Sequence, residues 1–358
     1  MKRIIAAALV LVSSWVHADE PSRFYRGVRA TAMGGAFVAI ADDEQALYLN
    51  PAGLAGINNF SFHYAPADFD LSTDMVKLGL TGTSAFSNLG VSSLNNFMGQ
   101  SNTARGALTP TLLMANFGFG IFSEQLIQIS EANQANPQLK LGYRTTNGFQ
   151  VGFAFAPLKK KKRGFKGDLR IGAAAKMVWR RGGVRTLSFL DVMNLAGQGA
   201  QFVSALAGSF GNSIGYDLGA QYLHPLTKRV TLSTGLVMTD IGNTSFPDST
   251  ADPVKADLTW GVGAKIALPV GKLTFAYDLK SLNETMDLRK RSHLGAELAV
   301  PLLSIQAGFY QGYFTYGVGS DIWLAKLQLT SYSEEQGTYG GQKGERRYAL
   351  RASLKFGF

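Results

Sequence analysis

Long segments of this chain alternate apolar and polar residues with a period of two, over lengths that suit a bilayer-crossing strand. That pattern constrains the fold more than any other. In Asp168 to Arg180 one face carries Leu169, Ile171, Ala173, Ala175, Met177 and Trp179, and the other Asp168, Arg170, Gly172, Lys176 and Arg180. Ala256 to Leu268 sets Leu258, Trp260, Val262, Ala264, Ile266 and Leu268 against Asp257, Thr259, Gly261, Gly263 and Lys265. Lys272 to Lys280 sets Leu273, Phe275, Tyr277 and Leu279 against Lys272, Thr274, Asp278 and Lys280. A tilted strand needs roughly 9 to 11 residues to cross the hydrocarbon layer, with alternate side chains facing lipid. A soluble sandwich also alternates, but it turns its apolar face toward a shared core.

Two further features favour the membrane. Tyr348, Leu350, Ala352, Leu354, Phe356 and Phe358 form one face of a final strand ending on an aromatic residue. This resembles the signal that bacterial outer-membrane barrels present to their assembly machinery, which is the partner it implies. Tight, proline-led connections (His224-Pro225-Leu226-Thr227, Pro269-Val270-Gly271, Pro301-Leu302-Leu303) alternate with longer polar ones (Ile241 to Pro253, Leu282 to Arg289, Glu335 to Glu345). Short turns at one end and long loops at the other is the barrel layout. Strands near residues 59, 74, 108, 140, 168, 213, 229, 256, 272, 291, 304, 314, 324 and 346 give about fourteen. An even number brings both chain ends to the same side.

The first 18 residues carry Lys2 and Arg3, an apolar run from Ile4 to Val12, and a small-residue exit at Val16-His17-Ala18, the layout of a secretory signal. Removing them takes away two cations and no acids, so the formal charge falls from +10 to +8. No later run is long and apolar enough for a spanning helix. The absence of cysteine rules out disulfides, thiolate metal sites and cysteine nucleophiles. With 46% hydrophobic residues, 17% charged residues and no linker or shift in composition, residues 58–358 read as one domain, an all-β transmembrane antiparallel β-barrel.

Between signal and strands lies Arg29 to Gly56, RATAMGGAFVAIADDEQALYLNPAGLAG, rich in Gly and Ala. Gly34 and Gly35 permit a bend or close backbone approach. Asp42 or Asp43 can cap a short helix from about Glu44 to Leu49, and Asn50 with Pro51 stops it. The stretch resembles the N-terminal hatch of the FadL-type family of outer-membrane transporters for fatty acids and hydrocarbons. It is similar also to related PorV-type barrels, in which a "MGGAFVAIADD...A.Y.NPAGLA" pattern follows the signal. The resemblance implies a hatch over residues 19–57 packed in the lumen, with Gly34, Gly35, Asp42, Asn50 and Pro51 as gating candidates. The same small side chains would also serve merely to fill a lumen.

Two connections depart from strand spacing. Thr186 to Phe210 places Phe189, Leu190, Met193, Ala196, Phe202, Val203 and Leu206 at helical intervals. Strand parity puts this loop outside, so Phe189, Leu190, Met193, Phe202, Val203 and Leu206 are candidates for capturing an apolar solute, or for capping the barrel mouth. Thr83 to Ala107 also reads as helical, yet parity makes it periplasmic and too long for a turn. Either the second strand is misplaced or the segment enters the lumen.

Lys159 to Arg163 with Lys166 is the one dense charge run. Without aromatic interleaving it reads as a solvated turn rather than a nucleic-acid surface, with an acidic partner or anionic inner-leaflet lipid as the functional alternative. No G-x-S-x-G elbow, phosphate loop or dinucleotide fingerprint occurs, and the mature chain's His63, His224 and His293 form no i, i+4 metal pair. His293 and Glu297 share a strand face, where a structural charge network explains them as well as catalysis does. Asp42, Asp43 and Glu44 could hold a hard cation, but capping explains them without one. No enzyme activity, metal or cofactor is expected.

Two functions lead from sequence, with porin-like passage of polar solutes third because a hatch should obstruct it. One is passage of small hydrophobic molecules across the bacterial outer membrane. The other is a non-transporting barrel that docks or shuttles an envelope protein. A continuous apolar path through the lumen would favour the first, and a lumen plugged by charge pairs the second. Arg170, Lys176, Asp217, Lys265, Asp278, Glu297, Arg351 and Lys355 are all expected to point inward.

Overall fold

The alternation closes into a barrel. The computed structural model describes residues 24–80, 101–133, 138–158, 166–188, 191 and 208–357. Its strands are β1 (Ser61–Ser72), β2 (Ser101–Leu108), β3 (Thr111–Met114), β4 (Phe117–Asn133), β5 (Gln138–Leu158), β6 (Asp168–Ser188), β7 (Gly211–Pro225) and β8 (Val230–Thr239). They continue with β9 (Asp257–Leu268), β10 (Gly271–Leu279), β11 (Ser292–Val300), β12 (Leu303–Tyr310), β13 (Tyr313–Ile322), β14 (Ala325–Glu335) and β15 (Gly344–Gly357). Every ladder is antiparallel, and β15 pairs back onto β1 from Ser61↔Gly357 to Ser72↔Arg347. No edge is left at the seam, which a sheet in lipid requires.

β2 and β3 both lie between β1 and β4, broken at Thr109-Pro110, so together they make one staff of a fourteen-stranded wall. β1 is irregular at the same level, where its register shifts between Tyr64 and Ala67, Ala65 has φ +42° and Thr109 donates to the Pro66 carbonyl at 3.1 Å. Proline has no amide for the ladder, so Pro66 and Pro110 interrupt two adjacent staves side by side.

The sequence count of fourteen agrees, but through two compensating errors. Near residue 74 the chain forms helix Thr73–Leu80 rather than a strand. Phe117–Asn133, absent from the expected series, is a strand of its own. Moving the second strand to Ser101 reverses the parity of what precedes it, so the connection between β1 and β2 leaves at the long-loop end. That removes the conflict over Thr83 to Ala107: residues 101–107 belong to β2, and 81–100 lie outside the described residues. The loop after β6 still falls at the long-loop end, and the basic run after β5 at the short-turn end.

The outer face is the apolar one. Phe69, Phe153, Ile171, Trp260, Phe275, Leu294, Phe309, Leu327, Leu350 and Leu354 are exposed there. The buried side chains of the wall include Glu124, Lys176, Asp217, Thr274, Glu297, Gln306, Arg347 and Arg351, which face the lumen. Tyr348 and Phe356 sit on the outer face of β15 with Leu350 and Leu354, while Phe358 lies outside the described residues.

The wall is lopsided. β5 and β6 have 21 residues each, whereas β12 has 8. At a rise near 3.3 Å and a tilt near 40° these stand about 50 Å and about 20 Å tall. Among the described residues no helix is long and apolar enough to cross a membrane.

Candidate functional site

The chain from Phe24 to Ile57 fills the barrel as a hatch. Helix α1 (Val28–Ala32) leads into a turn at Gly34 and Gly35, then come helix α2 (Ala46–Leu49) and a 3-10 helix (Pro51–Gly56). Ala32, Met33, Ala36, Ile40, Ala46, Leu47 and Leu54 are fully buried. Gly34 (φ +65°) and Gly35 (φ +81°) are in the left-handed region, and a Cβ on Gly34 would collide with the backbone of Leu294 and Phe309. The turn therefore needs glycine for its dihedrals and for its closeness to β11 and β12.

The wall is pared down to receive the hatch. A Cβ on Gly118 or Gly152 would meet Leu47 and Leu54, on Gly172 the Pro51 backbone, on Gly263 Ile40, on Gly295 Met33, and on Gly317 Ala32. These glycines punctuate the polar face of successive strands. Gly172 and Gly263 stand out as polar-face positions in the sequence, but their fit to the plug is a tertiary feature, and Gly261 beside them makes room for Asp278 of the next strand instead.

Charge holds the hatch in place. Arg29 reaches Glu297 through two bonds (2.8 and 2.5 Å), Asp42 at 2.9 Å and Asp43 at 2.8 Å. Asp42 also pairs with Lys265 at 2.7 Å and Lys272 at 3.4 Å. Glu44 pairs with Lys326 at 3.0 Å and lies 3.8 Å from Arg351, which in turn bonds Asp68 and the Tyr25 hydroxyl. Arg26 joins Glu334 at 3.3 Å and Asp70 at 3.7 Å, and donates to Tyr332.

These pairings set the hatch's proton affinities. Burial acts against the Asp42 carboxylate, yet Arg29, Lys265 and Lys272 together hold its pKa well below the usual range. Burial likewise opposes the Glu44 carboxylate, but Lys326, His63 and Arg351 outweigh it and hold its pKa low. Burial pushes the Tyr48 phenol up to about 12.

Further bonds complete the seating. Asp278 accepts from the Phe37 and Val38 amides at 2.7 and 3.0 Å. Gln150 donates to the Leu47 carbonyl, Gln221 to that of Ala39 and Thr315 to that of Ala32. His293 Nδ1 lies 2.7 Å from the Gly34 carbonyl, which can only accept, so Nδ1 carries the proton. His293 and Glu297 are thus both engaged with the hatch. Lys176 pairs with Asp217 at 2.8 Å and Asp240 at 3.0 Å, and Arg170 donates to Gln221. Lys355 stands at the short-turn rim, 3.9 Å from Asp321.

The acidic run behaves differently from expectation. Helix α2 begins at Ala46 rather than Glu44, its N-cap Gln45 makes no side-chain cap, and Asp43 instead accepts from the Gln45 amide at 3.0 Å. Asp42 and Glu44 are ion-pair anchors, a role visible only once Lys265, Lys272 and Lys326 come round the barrel. Asn50 does end α2, and it also caps the next helix, accepting from the Ala52 amide at 3.1 Å while donating to the Val38 carbonyl at 2.8 Å. Pro51 lies in the first turn of the 3-10 helix, where proline's fixed φ fits.

The hatch separates two cavities. Toward the long-loop end lies one of about 780 Å3, walled by Phe24, Tyr25, Phe37, Tyr48, Val237 and Val254, with Arg144, Lys176 and Asp240 among its polar groups. Toward the short-turn end lies one of about 700 Å3, bordered by Asp42, Asp43, Lys272, Asp321, Lys326 and Lys355. Phe189, Leu190, Met193, Phe202, Val203 and Leu206, the capture candidates, lie outside the described residues, as does Lys159 to Arg163.

No protein-family model matches the chain, and no curated protein matches it. Among solved structures, the monoaromatic hydrocarbon channel CymD superposes with a TM-score of 0.52 at 13% identity, covering 95% of this chain and 99% of that one. The Pseudomonas putida toluene transporter TodX gives a TM-score of 0.45 at 12% identity, covering 94% of this chain and 98% of its own. The Ralstonia pickettii toluene transporter TbuX gives 0.46 at 13%, with the same coverages of 94% and 98%. With strand closure, hatch and the end-to-end match to CymD in place, the chain has the fold of the FadL-type outer-membrane channels.

Proposed function

We propose that this chain is an outer-membrane barrel that admits small hydrophobic molecules from its long-loop end. The observation that carries this is the 780 Å3 cavity in a barrel of hydrocarbon-channel fold, with Phe24, Tyr25, Phe37 and Tyr48 of the hatch in its wall. Rings and aliphatic side chains around a space of that size suit a small apolar solute. The hatch beneath is sealed by ion pairs, so onward passage requires either that it shift or that solute leave through the wall, where Pro66 and Pro110 interrupt the ladder.

That same seal favours a second reading. A lumen plugged by charge pairs is what a non-transporting barrel would show, its exposed loops serving to dock an envelope protein.

The chain has no cysteine, which allows a clean test. A Cβ at Gly317 would lie 2.7 Å from that of Ala32, nearer than the roughly 3.5–4.5 Å across a disulfide, so a bridge between Ala32→Cys and Gly317→Cys ties hatch to wall once the two backbones part by about 1 Å. Uptake of a monoaromatic hydrocarbon into vesicles holding the barrel should stop on oxidation and return on reduction. Uptake unaffected by the lock would move the route to the wall. No uptake by the unmodified barrel, with an envelope protein co-purifying, would sink transport and favour docking.

A further inference from the structure

The short-turn cavity plays no part in the proposed uptake from the opposite end, yet it is built like a binding site. The charged lining is of both signs, Arg29, Lys272, Lys326 and Lys355 among Asp42, Asp43, Glu44, Glu297 and Asp321, and all but Lys355 and Asp321 are held in the hatch's ion pairs. Lys355 and Asp321 are only loosely paired, 3.9 Å apart and about half exposed. A singly charged ligand would meet as much repulsion as attraction there. One carrying both charges would not.

The position of the mouth says where that ligand comes from. Val300 and Leu303 are cross-strand partners on the outer, lipid-facing side of β11 and β12, whereas Glu297 and Ser304 face inward, and all four border the cavity. The opening therefore laps over the rim at the Pro301-Leu302 turn. The rim here belongs to the short wall, whose height of about 20 Å falls below the roughly 25 Å apolar band of such barrels. Its turns are themselves apolar, with Leu302, Ile322, Leu324 and Trp323 exposed, Trp323 at 93%. Tryptophan at that level belongs in the headgroup region.

We propose that this cavity holds the headgroup of a zwitterionic phospholipid from the adjacent leaflet. Its phosphate faces Lys355, its ammonium faces Asp321, and its chains lie over Val300 and Leu303. A phosphoethanolamine headgroup has this charge arrangement.

The test uses the full barrel in nanodiscs of mixed phosphatidylethanolamine and phosphatidylglycerol, released into native mass spectrometry. The unmodified chain should retain one phosphatidylethanolamine in preference to phosphatidylglycerol. Lys355→Glu and Asp321→Lys should each lower that occupancy roughly tenfold, the loss of one charge-assisted bond, while heat-modifiable gel mobility shows the barrel still folded. Retention of both lipids alike, unchanged in the variants, would mean annular lipid only and overturn the proposal; so would a bound peptide in the cavity. Soluble glycerophosphoethanolamine displacing the lipid would assign recognition to the headgroup, and its failure to compete would overturn a headgroup site. A second readout needs no variant in the cavity: lipids brominated on their chains should quench Trp323, identified by its loss in Trp323→Phe. Quenching by aqueous iodide instead would place the rim outside the membrane and sink the idea.

Discussion

The hatch meets the two sides of its barrel in different chemical terms. Toward β4 to β7, the tall wall, Leu47, Leu54 and Pro51 lie against Gly118, Gly152 and Gly172, and the polar contacts include uncharged hydrogen bonds from Gln150 and Gln221 to hatch carbonyls and from Asn50 to the Ala220 carbonyl. Toward β9 to β11, β14, β15 and β1, the hatch ion pairs described above converge on Arg29, Asp42, Glu44 and Arg26. A small-residue interface loses dispersion and a few bonds when it parts. A buried ion pair that parts must rehydrate two charges, and removing one partner costs about 3–5 kcal/mol. If the hatch moves, it should open on the glycine side and pivot on the charged side.

The largest expected break is Arg29→Ala, which takes the cation from Glu297 and Asp43 and leaves Asp42 with Lys265 and Lys272 alone. It should loosen the charged side by about 3–5 kcal/mol, read as faster hydrogen exchange across Val28 to Ile57. Protection unchanged in this variant would remove the distinction between the two sides. Next comes Gly172→Val on the tall wall. Its added carbons collide with the Pro51 backbone, and overpacking of this kind costs about 1–3 kcal/mol; exchange should rise around Pro51 to Gly56 and stay unchanged at Arg29. A uniform rise would show that the hatch responds as one rigid body.

Asn50→Ala should cost about 1 kcal/mol for the lost cap, with more from its bond to Val38, and a thermal melt of the barrel in detergent is sensitive enough to read it. The smallest effect is that of pH above the carboxylate range. The folded pKa values of Asp42 and Glu44 lie below their unfolded values, so their contribution is fully present above about pH 4. It is lost as pH falls through the depressed values. Hatch exchange, corrected for its intrinsic pH dependence, should therefore be flat from neutral pH to about pH 5. A marked loosening in that window would assign the clamp to another group.

Much of the wall was legible because alternation reports burial directly: Leu169 to Trp179 faces outward, while Lys176 and Arg180 lie buried on the other face. The error near residue 74 arose because a short amphipathic helix and a strand start look alike when the apolar run is brief. Phe117–Asn133 was missed because its lumen face carries Gly118, Gly120 and Phe122 before reaching Glu124, so the polar phase of the alternation is weak where the hatch presses on it. At the site, Gly34, Gly35, Asn50 and Pro51 could be singled out because their backbone preferences are local. The partners of Asp42 and Glu44 could not.

By itself, then, the sequence determined a membrane-type barrel of even strand number with a small-residue plug, since periodicity, turn chemistry and glycine placement act within a few residues of where they are read. Only the tertiary structure decided which charges meet. Arg29 lies 268 residues from Glu297, and Glu44 lies 282 from Lys326. Pairs that far apart are chosen by closure of the ring, because a cation at one luminal level is within reach of an acid on the hatch only after every strand between them has taken its register.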